Sequence, residues 1–421
     1  MSTLAPEVSI ASSQQPNLHP LRAGRNLEPQ HFSSIRRTLL LKYCKWDPQV
    51  GDVSTIAPFP FFIDKRCWSE LETLAETLTR ELLAAELELL ERDELHAVLA
   101  IPRALRQVLR RARQNGITPS AVRVMRFDFH WTESGWRISE VNADVPGGFS
   151  EASEFTRLMS EGFPGASAPG NPARFWANRI AGTAAGQTVA LLAAAGFMED
   201  QQVVSYLARV LRELGVDARP AGPLQLQWKS GRAYLNGRVL GAIVRFYQAE
   251  WLSQLPRRSR WPRLLAGGRT PVSNPLSCIF GESKRFPLVW DLLHNTLPTW
   301  QRLLPETRDP RDAHWRTDDS WLLKTAWCNT GDTVSARGLI DPRDWRRAFW
   351  SASFYPRQWV AQRRFEPAPV ASPIGDVYPC IGVYTIDGRA CGAYTRISKG
   401  RVIDHRAIDA ALLLTETRNE S

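Results

Sequence analysis

Residues 123–153, RVMRFDFHWTESGWRISEVNADVPGGFSEAS, constrain the fold more than any other stretch. They read as a strand, a tight turn, a second strand and a glycine-rich loop that opens a helix. In the first strand Met125, Phe127 and Phe129 take one face, and Arg126, Asp128 and His130 take the other. Glu133, Ser134 and Gly135 suit a three-residue hairpin loop with Gly135 in the left-handed conformation. With Ser134 at the centre of the turn, Asp128 falls opposite Glu140 and Arg126 opposite Asn142, so all four share a face. Two facing carboxylates repel unless something positive lies between them. An oxygen-rich trio of Asp128, Glu140 and Asn142 suits magnesium, a hard cation that also takes phosphate oxygens. Arg126 beside it is placed to hold an anion. The plainer reading is a half-buried hairpin with a solvated polar face. It suits Asp128 or Glu140 taken singly, and suits less well an arginine, two acids and an asparagine gathered between aromatic rows.

At 421 residues the chain can bury a large core, as one large domain or two. No apolar run reaches membrane-spanning length. Residues 1–20 lack the basic start and apolar core of a signal peptide, so a cytoplasmic protein is expected. The six cysteines show no CxxC spacing, which favours reduced, mostly buried thiols over a zinc site or a disulfide framework. A net charge of +10, much of it arginine, favours anionic partners: nucleotide, carboxylate or nucleic acid. The arginines are dispersed apart from residues 106–113 and Arg363-Arg364, and no nucleic-acid motif is present, so nucleic acid is the weakest of the three.

Residues 1–30 read as a loose extension and 31–45 as a first helix. Residues 58–62 read as a turn that buries aromatics. From 68 to 113 the pattern is helical, with Leu71, Leu74, Leu78, Leu82 and Leu83 toward the core. Pro102 divides this region into two helices, and its acid-rich part, 86–94, reads as a solvated face. The Pro146-Gly147-Gly148 loop either caps the next helix or offers its amides to an anion. After a long loop at 162–172, a strand at 188–195, a helix at 206–214 and a strand at 240–246 suggest a small α/β lobe. Lys284 precedes a helix. Lys324 ends a strand at 320–324 and is followed by a small-residue loop with Gly331. Strand, lysine and loop can cover nucleotide phosphates, although the GxxxxGK order is absent. Either lysine alone also suits an exposed or snorkelling position. The C-terminal part is sheet-like, with strands at 358–365, 378–386 and 389–397 and a hairpin turn at Asp387-Gly388. Arg396, on the last of these, takes a functional face or a plain solvent face. His405 is isolated and reads as a surface histidine.

In this order the residues resemble the glutathionylspermidine synthases, which are circularly permuted ATP-grasp ligases. The likeness rests on Arg126-Phe127-Asp128 followed by Glu140-Val141-Asn142-Ala143-Asp144, then Arg245-Phe246-Tyr247, then the segments of Lys284, Lys324, Gln362 and Arg396. It runs from about residue 30 to 415, and the metal-type hairpin ahead of the lysines suggests the permuted order. The resemblance implies an α+β, ATP-grasp-type fold with a small α/β pre-ATP-grasp-like lobe. Residues 31–187 and 261–421 would be the two ATP-grasp parts, and 188–260 the lobe. It implies Asp128, Glu140 and Asn142 as magnesium ligands. Lys284, Lys324, Gln362 and Gly331 would bind ATP, with Gln362 near the adenine. Arg126 and Arg396 would steady the phosphoryl group and the developing tetrahedral centre.

The activity implied is an ATP-dependent ligase that joins a carboxylate-bearing peptide or small molecule to an amine through an acyl phosphate. Neither nucleic acid nor membrane is expected as a partner. A non-catalytic or weakly active binding protein on the same fold is the alternative, suggested by the lid. The family's Lys-Pro and Arg-Glu-Gly run is here Lys324-Thr-Ala-Trp-Cys-Asn-Thr-Gly331. Pro146-Gly147-Gly148 also replaces a Pro-Thr-Ser-like stretch that helps hold the acyl substrate in that family, which leaves the substrate pair open. No amidase domain is present, so hydrolysis of the product is not expected.

Overall fold

The computed structural model describes residues 19–50, 53–327, 334–403 and 406–416. Gly331, most of the lid and His405 lie outside the described residues. The first elements are β1 (Leu21–Ala23), α1 (Pro29–Lys42), β2 (Phe61–Asp64), α2 (Lys65–Glu91) and α3 (Arg103–Asn115). β1 lies within the stretch expected to be loose. It pairs antiparallel with β2, and both Leu21 and the nearby Leu27 are buried, so the segment has apolar surface to place. Asp64 caps α2, its carboxylate accepting from the Cys67 amide at 2.7 Å. Leu71, Leu74, Leu78 and Leu82 form the buried stripe of α2, and Leu83 packs at its margin. The expected solvated acidic face is corrected at Glu86, which is 1% exposed. It pairs with Arg123 at 2.6 Å and accepts from the Ser277 hydroxyl at 2.8 Å. A carboxylate enters a core when a cation and a donor come with it.

The hairpin is β3 (Val124–Thr132) and β4 (Gly135–Asn142). Its turn is tighter than expected: Thr132 pairs with Gly135, which leaves only Glu133 and Ser134 in the loop. A bulge then sets Ser139 aside as an extra residue, and beyond it Asp128 faces Glu140 and Arg126 faces Asn142, the pairing the sequence suggests. Met125, Phe127 and Phe129 join the α2 leucines in the main core.

Next come α4 (Pro172–Ala184), β5 (Thr188–Ala193), α5 (Met198–Glu213), β6 (Ala218–Ala221), β7 (Leu226–Lys229), β8 (Arg232–Leu235), β9 (Arg238–Phe246) and β10 (Val272–Ser273). Strand order is β6-β5-β9-β8-β7, with β10 also on β9. β5 runs parallel to β6, with α5 as the crossover between them, and parallel also to β9; α5 begins earlier than the expected 206.

The remaining elements are β11 (Thr307–Arg308), β12 (Trp321–Thr325), β13 (Val334–Ser335), α6 (Pro342–Phe354), β14 (Trp359–Arg363), β15 (Val370–Ser372), β16 (Gly375–Ile386), β17 (Arg389–Ser398), β18 (Ile408–Ala410) and β19 (Leu412–Thr415). A four-stranded sheet runs β11-β14-β12-β13. A larger antiparallel sheet runs β18-β17-β16-β3-β4, so the early hairpin and the C-terminal strands build one surface. Asp387 and Gly388, both at positive φ, turn β16 into β17 as the Asp-Gly pair predicts. β19 returns parallel to β2.

Candidate active site

Asp128 is fully buried on β3 and faces two guanidinium groups. Arg126 reaches it with Nε at 2.8 Å and a terminal nitrogen at 3.1 Å. Arg396, brought in by β17, donates at 2.6 Å. The Asn142 amide donates to the same carboxylate at 3.3 Å. Burial pushes the Asp128 carboxyl up, but Arg126 and Arg396 outweigh it and hold the group down to about 2.

Glu140, directly across the strand pair, is held by Lys284 at 3.2 Å. Burial opposes its charge, and Lys284 and Lys324 overcome that and keep the carboxyl below its ordinary range. Lys324 stands near the end of β12 and donates from Nζ to the Ser139 carbonyl at 2.9 Å. Burial lowers its pKa to about 8, although Glu140 works against the shift. Gln362 on β14 faces Leu322 on β12 and donates to the Thr307 hydroxyl at 2.9 Å. Between the four-stranded and the larger sheet lies a cavity of about 90 Å³, lined among others by Glu140, Lys324, Gln362, Arg396, His130 and Phe365. A smaller one beside it, lined by Lys284 and Trp300, shares Glu140, Lys324 and Gln362.

The structure therefore brings Arg126, Asp128, Glu140, Asn142, Lys284, Lys324, Gln362 and Arg396 into one region. Several supporting residues acquire their role only from tertiary contacts. Glu282 accepts the Ala143 and Asp144 amides at 2.7 and 2.9 Å and lies 3.8 Å from Lys284. Asp144 pairs with Arg245 and accepts the Ala249 amide at 2.6 Å, which ties the hairpin's end to β9 and the segment after it. Tyr394 and Tyr384 flank the Pro-Gly-Gly loop: Arg126 donates to the Tyr394 hydroxyl at 3.3 Å and to the Gly147 carbonyl at 3.0 Å, and the Tyr384 hydroxyl donates to that same carbonyl. Gly148 is at φ +87°, and a Cβ there would lie 2.7 Å from the Tyr394 ring. Only glycine fits that approach.

Among the described residues no group of three or more His, Cys, Asp and Glu is placed to hold a metal. The expected trio is of another kind, two carboxylates and an amide, and in donor chemistry it fits a hard divalent cation. Arg126, Arg396, Lys284 and Lys324 surround only Asp128 and Glu140, with Glu282 behind. That excess of positive charge fits a polyanion arriving with its own cation better than a bare metal ion.

The profile of the family described as glutathionylspermidine synthase preATP-grasp matches residues 61–410. No curated protein matches the chain. Among solved structures, a glutathione synthetase-like effector from Globodera pallida, in its apo form, is similar with a TM-score of 0.61 at 12% identity, covering 92% of this chain and 98% of its own. A protein described as a gamma-glutamylcysteine synthetase, from Methylobacillus flagellatus, has a TM-score of 0.40 at 11% identity, over 76% of this chain and 84% of its own. The first of these likenesses bears on the fold, which is α+β and of the ATP-grasp type in permuted order. No helix among the described residues is long and apolar enough to cross a membrane.

Proposed function

The chain belongs to the glutathionylspermidine synthase preATP-grasp family, and from that premise we propose that it is an ATP-dependent ligase joining a carboxylate-bearing peptide or small molecule to an amine. The observation that carries this reading is the cross-strand pair Asp128–Glu140, ringed by four cations and opening on a cavity between two sheets. Such a concentration of cations around two carboxylates supports binding of a nucleoside triphosphate and stabilisation of charge that moves during reaction. Asp128, Glu140 and Asn142 would hold magnesium, which would neutralise phosphate oxygens and polarise the terminal phosphoryl group.

In this reading Lys284 and Lys324 neutralise phosphate oxygens, and Gln362 lies toward the adenine. The reaction has two steps. A carboxylate oxygen displaces ADP from the terminal phosphorus to give an acyl phosphate. The amine nitrogen then attacks the acyl carbon, inorganic phosphate leaves with the C–O electron pair, and the ammonium proton passes to phosphate or water. Arg126 and Arg396 are cations fixed by Asp128 and the neighbouring backbone, so they meet the developing oxyanions with little reorganisation. No side-chain nucleophile is needed.

The test is magnesium-dependent ATP binding followed by phosphate release with a panel of acids and amines. Release that requires both an acid and an amine supports the ligase. A folded chain with no magnesium-dependent ATP binding would sink this reading and leave a non-catalytic protein on the same fold.

A further inference from the structure

One wall of the cavity has no part in the chemistry above. His130 lies two residues beyond Asp128 on β3 and is 5% exposed. Its ring lines the cavity together with Lys324, Gln362 and Arg396, and stands 5.2 Å from the Phe365 ring. Nε2 is 3.2 Å from the hydroxyl of Ser139, the residue set aside by the bulge. That hydroxyl also lies 3.5 Å from the Asp128 carbonyl, which can take its proton. With that proton directed at the carbonyl, the neutral ring carries its own proton on Nε2 and leaves Nδ1 as an acceptor. Nδ1 is buried and has no hydrogen-bond partner among the described residues. A buried acceptor without a partner is costly, and a histidine used only for packing turns to a backbone group instead.

In that tautomer the missing partner is a donor. The nearby cations point elsewhere, Arg396 to Asp128 and Lys324 to the Ser139 carbonyl, and neither hydrogen-bonds to Nδ1. Phosphate and carboxylate oxygens at neutral pH only accept. In a nucleotide the donors are the base amine, which this reading places toward Gln362, and the ribose hydroxyls. We infer that His130 is a nucleotide-specificity residue whose Nδ1 accepts a hydrogen bond from a ribose hydroxyl. The inference rests on the cavity being the nucleotide site.

The experiment is calorimetric binding of ATP, 2′-deoxy-ATP and 3′-deoxy-ATP, each with magnesium, to the full chain and to its His130→Phe and His130→Asn forms. The unaltered chain should bind one deoxy nucleotide about tenfold more weakly than ATP. His130→Phe should bind ATP about tenfold more weakly and no longer distinguish the two. His130→Asn, which retains an acceptor, should regain part of the difference. A merely structural role would weaken all three nucleotides alike. An unaltered chain that binds ATP and both deoxy forms equally overturns the inference while leaving the nucleotide site standing, and so does full discrimination in His130→Phe. That first comparison needs no variant to fold. Absence of ATP binding by the folded chain overturns the nucleotide reading and this inference together.

Discussion

Asp128 is held by two guanidinium groups before any ligand arrives, and this decides how its loss would be felt. Asp128→Ala would leave the buried Arg126 and the half-buried Arg396 without their carboxylate, so it should cost about 3–5 kcal/mol of stability as well as turnover. Glu140 is easier to separate from the fold: it borders both cavities, and Lys284 keeps Glu282 nearby when Glu140 is lost. Glu140→Gln should lower phosphate release by about 100-fold or more, with a melting temperature close to that of the unaltered chain. The two variants measured side by side, for turnover and for thermal unfolding, check the distinction. A Glu140→Gln form with full turnover would remove Glu140 from the site. At this scale the sequence showed residue kinds and alternation, because a strand's period of two follows from local geometry. It did not show that Glu86 is buried, since that depends on Arg123 and Ser277, which are distant in the chain.

Among the elements, the β3–β4 hairpin reaches the expected pairing by a different route. A two-residue turn alone would shift every pair by one position, and the bulge at Ser139 restores it. The bulge also frees the Ser139 hydroxyl and carbonyl for His130 and Lys324. Next to the hairpin, β16 places Gly382 opposite Asp128, where a Cβ would come within 2.9 Å of the Arg126 side chain and 3.2 Å of Tyr394. Gly382→Ala displaces a side chain and no backbone. It should therefore fold within about 1–3 kcal/mol of the original and lose about 100-fold in turnover as Arg126 moves. Unfolding in denaturant and phosphate release check this, and unchanged turnover would mean that Arg126 tolerates displacement.

A pH effect belongs to α5. Burial, with Glu199 adding, pushes the Asp200 carboxyl up to about 7. The folded chain then binds this proton more tightly than the unfolded one, for which about 4 is usual. The contribution is fully favourable below about 4 and is lost as pH rises through about 7. Asp200→Asn should thus melt a few degrees higher than the unaltered chain at pH 8 and no higher at pH 4. Equal gains at both pH values would show that the charge is not the cause.

Over the whole molecule, the candidate site is assembled from parts far apart in sequence. Arg396 meets Asp128 across 268 positions, and Lys324 meets Ser139 across 185. Glu86 performs a similar joining task in the core, linking α2 to Arg123 beside the hairpin and to Ser277. Glu86→Ala strands a buried guanidinium and should cost about 3–5 kcal/mol. The loss should be read in the midpoint of denaturant unfolding, and a change under 1 kcal/mol would mean that Arg123 finds solvent. The sequence by itself determined the hairpin pairing, the leucine stripe of α2, the Asp387-Gly388 turn and the order of the segments, because local periodicity and turn chemistry act over a few residues. Only the tertiary structure decided that β1 is ordered, that Glu86 is buried, and that the lysines, Gln362 and Arg396 converge on Asp128 and Glu140. Those outcomes depend on which surfaces and charges meet after the chain has closed on itself, and no local pattern contains that information.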